Sequence, residues 1–201
     1  MPKSDLVSRR RGEILAAASK IIANRGYRES NIADIASELG IGHGTFYRYF
    51  ENKRDIAENV VGYIVDQITL LVVDVDPEAA DTLLEYENQL REIGNRLFDF
   101  FIENRDLASV FFFEAYGVDK ELTARMQSAL ELFGDFVEQY LVNGQTKGFL
   151  RNGLDVEITA RAINGMIFAG ALRTFSLQEP EIERNRWIEA IVKLMLTGMA
   201  S

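Results

Sequence analysis

The chain has 201 residues, 47% of them hydrophobic, no cysteine and a formal net charge of −9. Such a length supports one or two domains with a sizeable core. The lack of cysteine excludes disulfides, thiolate metal sites and a cysteine nucleophile, and fits a reducing cytosol.

In chain order, the opening MPKSDLVSRRR lacks the apolar segment of a secretory signal. A first helix is expected from about Ser8 to Asn24, with Ile14, Ala17, Ala18, Ile21 and Ile22 as its apolar stripe. Gly26 ends it. The run Arg9-Arg10-Arg11 has two readings of equal weight: a solvated helix start, or an N-terminal arm touching phosphate or the minor groove. Ser30 to Lys53 then reads as two short helices with a tight turn between them. Asn31 caps a helix over Ile32–Leu39, with Asp34 in the capping-box position. Gly40 supplies the positive φ of a helix end. A second helix runs from about His43 to Tyr49, and the expected buried set is Ile35, Leu39, Ile41, Phe46 and Tyr49. This is a helix-turn-helix pattern, which an ordinary αα corner would match about as well.

A fourth helix is expected from Asn52 to about Val73, with Ile56, Val60, Tyr63, Ile64, Gln67, Ile68 and Leu71 at helical spacing. Asp74–Asp81, acidic and containing Pro77, reads as a linker. Helices follow from about Ala79 or Thr82 to Glu103, then over about Asp106–Tyr116, Lys120–Lys147, Asp155–Ser176 and Glu181–Met199. The sum is nine helices and no strand: an all-α chain. No stretch reads as long and apolar enough to span a bilayer.

Charge is distributed unevenly. Residues 1–54 hold ten Lys/Arg against six Asp/Glu, net +4, and the remainder is net −13. A basic head on an acidic body suits a polyanion, because DNA affinity rests on local phosphate neutralisation.

GTFYRYFENK, residues 44–53, decides between the corner and the DNA-binding motif. From Gly26 to Ile56 the chain reads GYRESNIADIASELGIGHGTFYRYFENKRDI. This resembles the N-terminal domain of the TetR family of bacterial transcriptional regulators, whose members typically read GxxTTxxxIAxxAGVSxGTLYxYFxxKxxL there. The resemblance implies a three-helix DNA-binding domain over 1–54 and a larger helical ligand-binding and dimerisation domain over 55–201. It implies a cytoplasmic homodimer, with no cofactor and no membrane partner, that binds a palindromic DNA operator and is released from it by a small hydrophobic effector.

On the DNA side the resemblance points to Ser30, Asn31, Ala33, Gly42, His43, Gly44, Thr45, Tyr47, Arg48 and Lys53. Thr45, Tyr47 and Lys53 match phosphate-contacting positions, which set register but carry no sequence information. His43, the only histidine, matches a position that often reads a base edge. Ser30-Asn31 replaces the usual Thr-Thr, Gly42 a common Ser, and Ala33 a longer side chain. With so few long polar groups, DNA shape is expected to carry part of the specificity.

The larger part is rich in phenylalanine. Most of these rings are expected to be core, yet together they can leave an apolar cavity. The expected lining is Tyr63, Gln67, Leu97, Phe101, Phe112, Tyr116, Phe133, Phe136, Asn164 and Phe168, and the acidic body favours a neutral or cationic ligand. Ala162, Met166, Ala169, Ile188, Ile191, Val192 and Met195 on the last two helices are expected at the dimer interface, as the resemblance implies. A regulator without small-molecule control is the alternative. An enzyme is the remote one, since the single histidine sits in the DNA motif and no HExxH, P-loop or GxGxxG occurs.

Overall fold

The computed structural model describes residues 3–198 except 176 and 178. The expected helix ends at Ser176 and Met199 therefore lie outside the described residues, as does the side chain of Phe175. Among the described residues there are nine α-helices and no strand: α1 (Lys3–Arg25), α2 (Ile32–Glu38), α3 (His43–Phe46), α4 (Lys53–Val73), α5 (Leu83–Glu103), α6 (Arg105–Ser109), α7 (Lys120–Thr146), α8 (Val156–Phe175) and α9 (Pro180–Gly198). Between α6 and α7 the chain continues as a π-helical turn, Val110–Glu114, and a 3₁₀ turn, Ala115–Gly117.

The helix ends have local causes. Asn31 accepts the Asp34 N–H, and the Asp34 carboxylate accepts that of Asn31, a complete capping box for α2. At the other end Gly40 takes φ +62°. Its N–H reaches Ser37 O at 3.1 Å, and the Ile41 N–H reaches Ala36 O at 2.9 Å, a Schellman stop. Asn52 caps α4 by accepting the Asp55 N–H, and Asp155 caps α8 by accepting that of Ile158. α1 begins earlier than expected, so Arg9 and Arg10 lie beyond its first turn, where both pair with Glu13 along the helix.

The chain divides into two compact units. Residues up to Asp66 with Asn104–Met126 make the first, and Gln67–Glu103 with Gln127 onward make the second. α4 is thus one unbroken helix whose residues belong to both. It is also long and apolar enough by composition to cross a membrane, contrary to the sequence expectation. Its apolar stripe of Ile56, Val60, Ile64 and Ile68 is buried in protein core. Tyr63, expected on that stripe, is exposed; Val61 and Val72 are buried in its stead.

The first unit closes over Ile14, Ala18 and Ile22 of α1, Ile35 of α2, Phe46 and Phe50, and Ile56 and Val60 of α4, all fully buried. The second is built on α5, α8 and α9 with most of α7. Tyr86, Phe98 and Phe101 are its largest fully buried side chains. Glycine at 170 is required there, since a β-carbon would lie 2.8 Å from the Phe98 ring and 2.9 Å from Trp187.

Candidate nucleic-acid interface and effector cavity

The candidate recognition element is shorter than its sequence pattern suggests. α3 spans only His43–Phe46, and residues 47–49 tighten into turns, Arg48 N–H to Thr45 O at 3.3 Å and Tyr49 N–H to Phe46 O at 2.9 Å. The tighter path carries Phe50 rather than Tyr49 fully inward, with its ring 6.1 Å from that of Phe46. Leu39, Ile41 and Tyr49, expected buried, are half-buried.

The expected DNA-side residues divide into two groups. Asn31, Ala33, Gly42, His43, Gly44, Tyr47 and Arg48 are exposed, and Thr45 is half-buried. Tyr47 is 55% exposed, its ring edge-on to Phe46. Ser30 and Lys53 differ. Ser30 is buried, and its hydroxyl donates to Gly26 O at 2.6 Å. Lys53 is half-buried, and its ammonium donates to the carbonyls of Tyr27, Arg28 and Ser30. Burial pushes the Lys53 amine down from its ordinary value, and the Glu29 charge opposes this.

Ion pairs hold the scaffold behind this surface. Lys20 of α1 meets Glu38 of α2 at 2.8 Å, and Arg25 meets Asp34 at 3.2 Å. The hydrogen bond between the first pair raises the lysine and lowers the carboxyl. Arg54 donates to Asp119 at 2.7 Å, Glu121 at 2.7 Å and Glu58 at 2.6 Å, and Glu58 also receives Arg125. The Leu122 N–H and then Arg54 hold the Asp119 carboxyl below its usual range. Arg11 lies 4.8 Å from the centroid of the Phe50 ring and donates to Asn59 at 2.6 Å and to Tyr49 O. Of the three arginines read as a possible arm, Arg11 is therefore tied inside the unit. Nothing in local spacing signals this, because its partners lie 38 and 48 residues away.

The second unit contains a cavity of about 90 Å³. Ile68 and Val72 of α4, Leu97, Phe98 and Phe101 of α5, Phe133, Phe136 and Tyr140 of α7, Asn164 and Phe168 of α8, and Ile188, Ile191, Val192 and Met195 of α9 all line it. Its polar side chains are occupied. Asn164 Nδ2 donates to Leu130 O at 3.1 Å, and the Tyr140 hydroxyl donates to Val75 O.

Six of the ten expected lining residues are thus brought together: Leu97, Phe101, Phe133, Phe136, Asn164 and Phe168. Gln67 lies off the wall, and Tyr63, Phe112 and Tyr116 belong to the first unit. Four of the residues expected at an interface lie on α9. Ile188, Ile191, Val192 and Met195 are buried within their own chain as cavity wall. Met166 is half-buried. Ala162 and Ala169 are exposed, on a stripe with Ile158 and Gly165, and the outer side of α9 carries Ile182, Ala190 and Leu194. Among the described residues no cluster of His, Cys, Asp or Glu could hold a metal ion.

Comparison with known proteins matches residues 14–60 to the family model described as bacterial regulatory proteins, tetR family. Residues 61–198 match the C-terminal region of YsiA-like protein, a TetR-type C-terminal model. The chain belongs to the TetR family. It is a DNA-binding transcriptional regulator rather than an enzyme. Among TetR-family relatives, the fatty acid metabolism regulator protein of Bacillus subtilis (strain 168) is 23% identical over 187 residues, covering 93% of this chain and 94% of the relative. Two solved structures share the fold. The fatty acid degradation regulator FadR from Bacillus halodurans has a TM-score of 0.77 at 22% identity, covering 94% of this chain and 95% of that one. The transcriptional regulator FadR from Bacillus subtilis in complex with stearoyl-CoA has 0.73 at 23%, covering 92% and 97%.

Proposed function

We propose that this regulator is a cytoplasmic homodimeric repressor whose effector carries a long hydrocarbon chain, a fatty acyl thioester being the best fit. The observation that carries this reading is the cavity wall, apolar side chains throughout with both polar ones already bonded. A hydrocarbon leaves no group unpaired there, whereas a polar ligand would bury unpaired groups at about 1–3 kcal/mol each. The B. subtilis structure with stearoyl-CoA supports the class.

The cavity's size supports ligand control as well. Drug-sized ligand sites run to about 300–1,000 Å³, so about 90 Å³ must widen to take a long chain. The ligand then binds a widened state better than this one, which is the unequal affinity any ligand-driven switch requires. α4 contributes Ile68 and Val72 to the wall and begins at Lys53 beside the helix-turn-helix. A displaced α4 would alter the separation of two recognition helices and so the match to successive major grooves. In that dimer the exposed stripe Ile158, Ala162, Gly165 and Ala169 meets its mate, the small residues permitting close approach. Thr45 and Tyr47 anchor phosphates, and His43 reads a base edge.

The test begins with selection of the bound DNA from a random pool. Acyl-CoA thioesters of increasing chain length are then added to the complex with that duplex. Expected are a rise in melting temperature and DNA release for long chains, with neither for acetyl-CoA. Long-chain thioesters that stabilise the protein without releasing DNA would refute the repressor mechanism, and no stabilisation at any length would refute the ligand class. His43→Ala is expected to relax base preference; an equal loss on every operator variant would remove His43 from base reading.

A further inference from the structure

Lys53 has surroundings that a DNA-contacting role does not explain. An ammonium has three N–H donors. Here three backbone carbonyls take them: Tyr27, Arg28 at 3.3 Å and Ser30 at 2.6 Å. The nitrogen also lies 4.4 Å from the centroid of the Tyr27 ring, within cation–π range. These carbonyls belong to the turn between α1, which ends at Arg25, and α2, which starts at Ile32. Backbone oxygens leaving one helix before the next begins have no ladder partner and need a donor from elsewhere.

The same turn is held from its other side. Glu114, the last residue of the π-helical turn, accepts the Tyr27 N–H at 2.6 Å. The Ser30 hydroxyl closes the turn on itself through Gly26 O. α2 starts two residues after Ser30, and the Schellman stop fixes the step from α2 to α3. This turn is therefore one of the ties that place the recognition helix, beside the Lys20–Glu38 and Arg25–Asp34 pairs.

The second unit repeats the device, though it holds no DNA-binding motif. Lys147, just beyond α7, donates to Glu78 O at 2.6 Å, Ala80 O at 2.6 Å and the Asp81 carboxylate at 2.9 Å, fastening the segment that leads into α5. In both places a lysine spends all three donors on the chain just ahead of a helix.

We propose that Lys53 is a positioning residue, acting on DNA binding by clamping the α1–α2 turn against Glu114 rather than by donating to a phosphate. Three carbonyl dipoles and a ring face aimed at the nitrogen favour its charged form despite burial.

Three variants of the full chain, assayed on the selected operator duplex, test this. Lys53→Met is expected to lower the melting temperature by roughly 4–8 °C and DNA affinity about tenfold, with an unchanged slope of log affinity against log salt. Lys53→Arg keeps the charge, but a planar fork cannot aim three donors at converging carbonyls, so it too should lose stability and affinity. Glu114→Ala is the sharpest variant. Removing a negative charge should tighten binding to a polyanion, whereas the clamp requires it to weaken. Three results would overturn the proposal: a Lys53→Met slope flatter by about 0.9 per protomer, a Lys53→Arg protein that melts and binds like the native one, or a Glu114→Ala protein that binds DNA as well or better. The last two tests stand even if Lys53→Met fails to fold.

Discussion

The two units keep their shape by different chemistry. In the first, cations with several partners hold short elements together: Arg11 on the turn after α3 and on α4, Lys53 on the α1–α2 turn, Arg54 on the start of α7. In the second, apart from the Lys147 clamp, long helices pack through hydrocarbon, with ion pairs such as Arg161 to Glu131 and Asp135 on exposed faces. Exposed pairs contribute about 0–1 kcal/mol each, so burial carries that unit. The contrast follows from what each must present. A surface for a polyanion keeps its charges in register, whereas a site for hydrocarbon keeps polar groups away from a space that can widen.

The largest test of this contrast is ionic strength. Between about 50 and 200 mM salt, DNA affinity is expected to fall by about 10³–10⁵, because counterion release scales with phosphates contacted. Affinity for an uncharged long-chain alcohol should change less than about twofold, since apolar burial is barely screened. Titrations across that range read both, and an alcohol affinity falling in step with DNA would abolish the distinction.

The same contrast governed what could be read from the chain alone. The helix-turn-helix was legible because its signals are local: Asn31 with Asp34, Gly40 with Ile41, and the aromatic run Thr45–Phe50 sit at fixed spacings. Its internal ties were not, because Arg11, Lys53 and Arg54 reach partners up to 67 residues away, and a charge gives no sign of whether it faces water or a carbonyl. In the second unit periodicity gave the helices but not which unit an aromatic belongs to. Phe112 and Phe133 look alike in sequence, and only one lines the cavity. On α9, Ile188, Ile191, Val192 and Met195 form one apolar stripe. A stripe states that it must be covered, not whether by its own chain or by a second copy.

A paired truncation sharpens the comparison at smaller scale. Phe46 and Phe101 are equally buried, so Phe46→Ala and Phe101→Ala should each cost about 3–5 kcal/mol. Only Phe101 lines the cavity. The long-chain alcohol should therefore restore much of the lost melting temperature to Phe101→Ala and little to Phe46→Ala. Equal recovery in both would mean that the alcohol binds apolar surface generally rather than this site.

The smallest expected effect concerns the buried phenols of the second unit. Burial pushes the Tyr140 hydroxyl up to about 12, and Tyr86 is raised further by the same cause. Each phenol donates to a backbone carbonyl, Tyr140 to Val75 and Tyr86 to Tyr140 itself, and only the neutral form can do so. A group whose folded pKa lies above its unfolded value of about 10 gives stability that is complete below pH 10. That contribution is lost as pH rises through the folded value, so melting temperature should hold up to about pH 10 and then fall toward 12. Tyr140→Phe removes one of these ionisations and one hydrogen bond while keeping the ring in the wall. Relative to the native chain it should melt lower near neutrality, by the equivalent of about 0.5–1.5 kcal/mol, and the gap should narrow above pH 10. A gap that stayed constant across that range would mean that Tyr140 does not hold its proton against solvent, and that the cavity wall is wetter than its packing indicates.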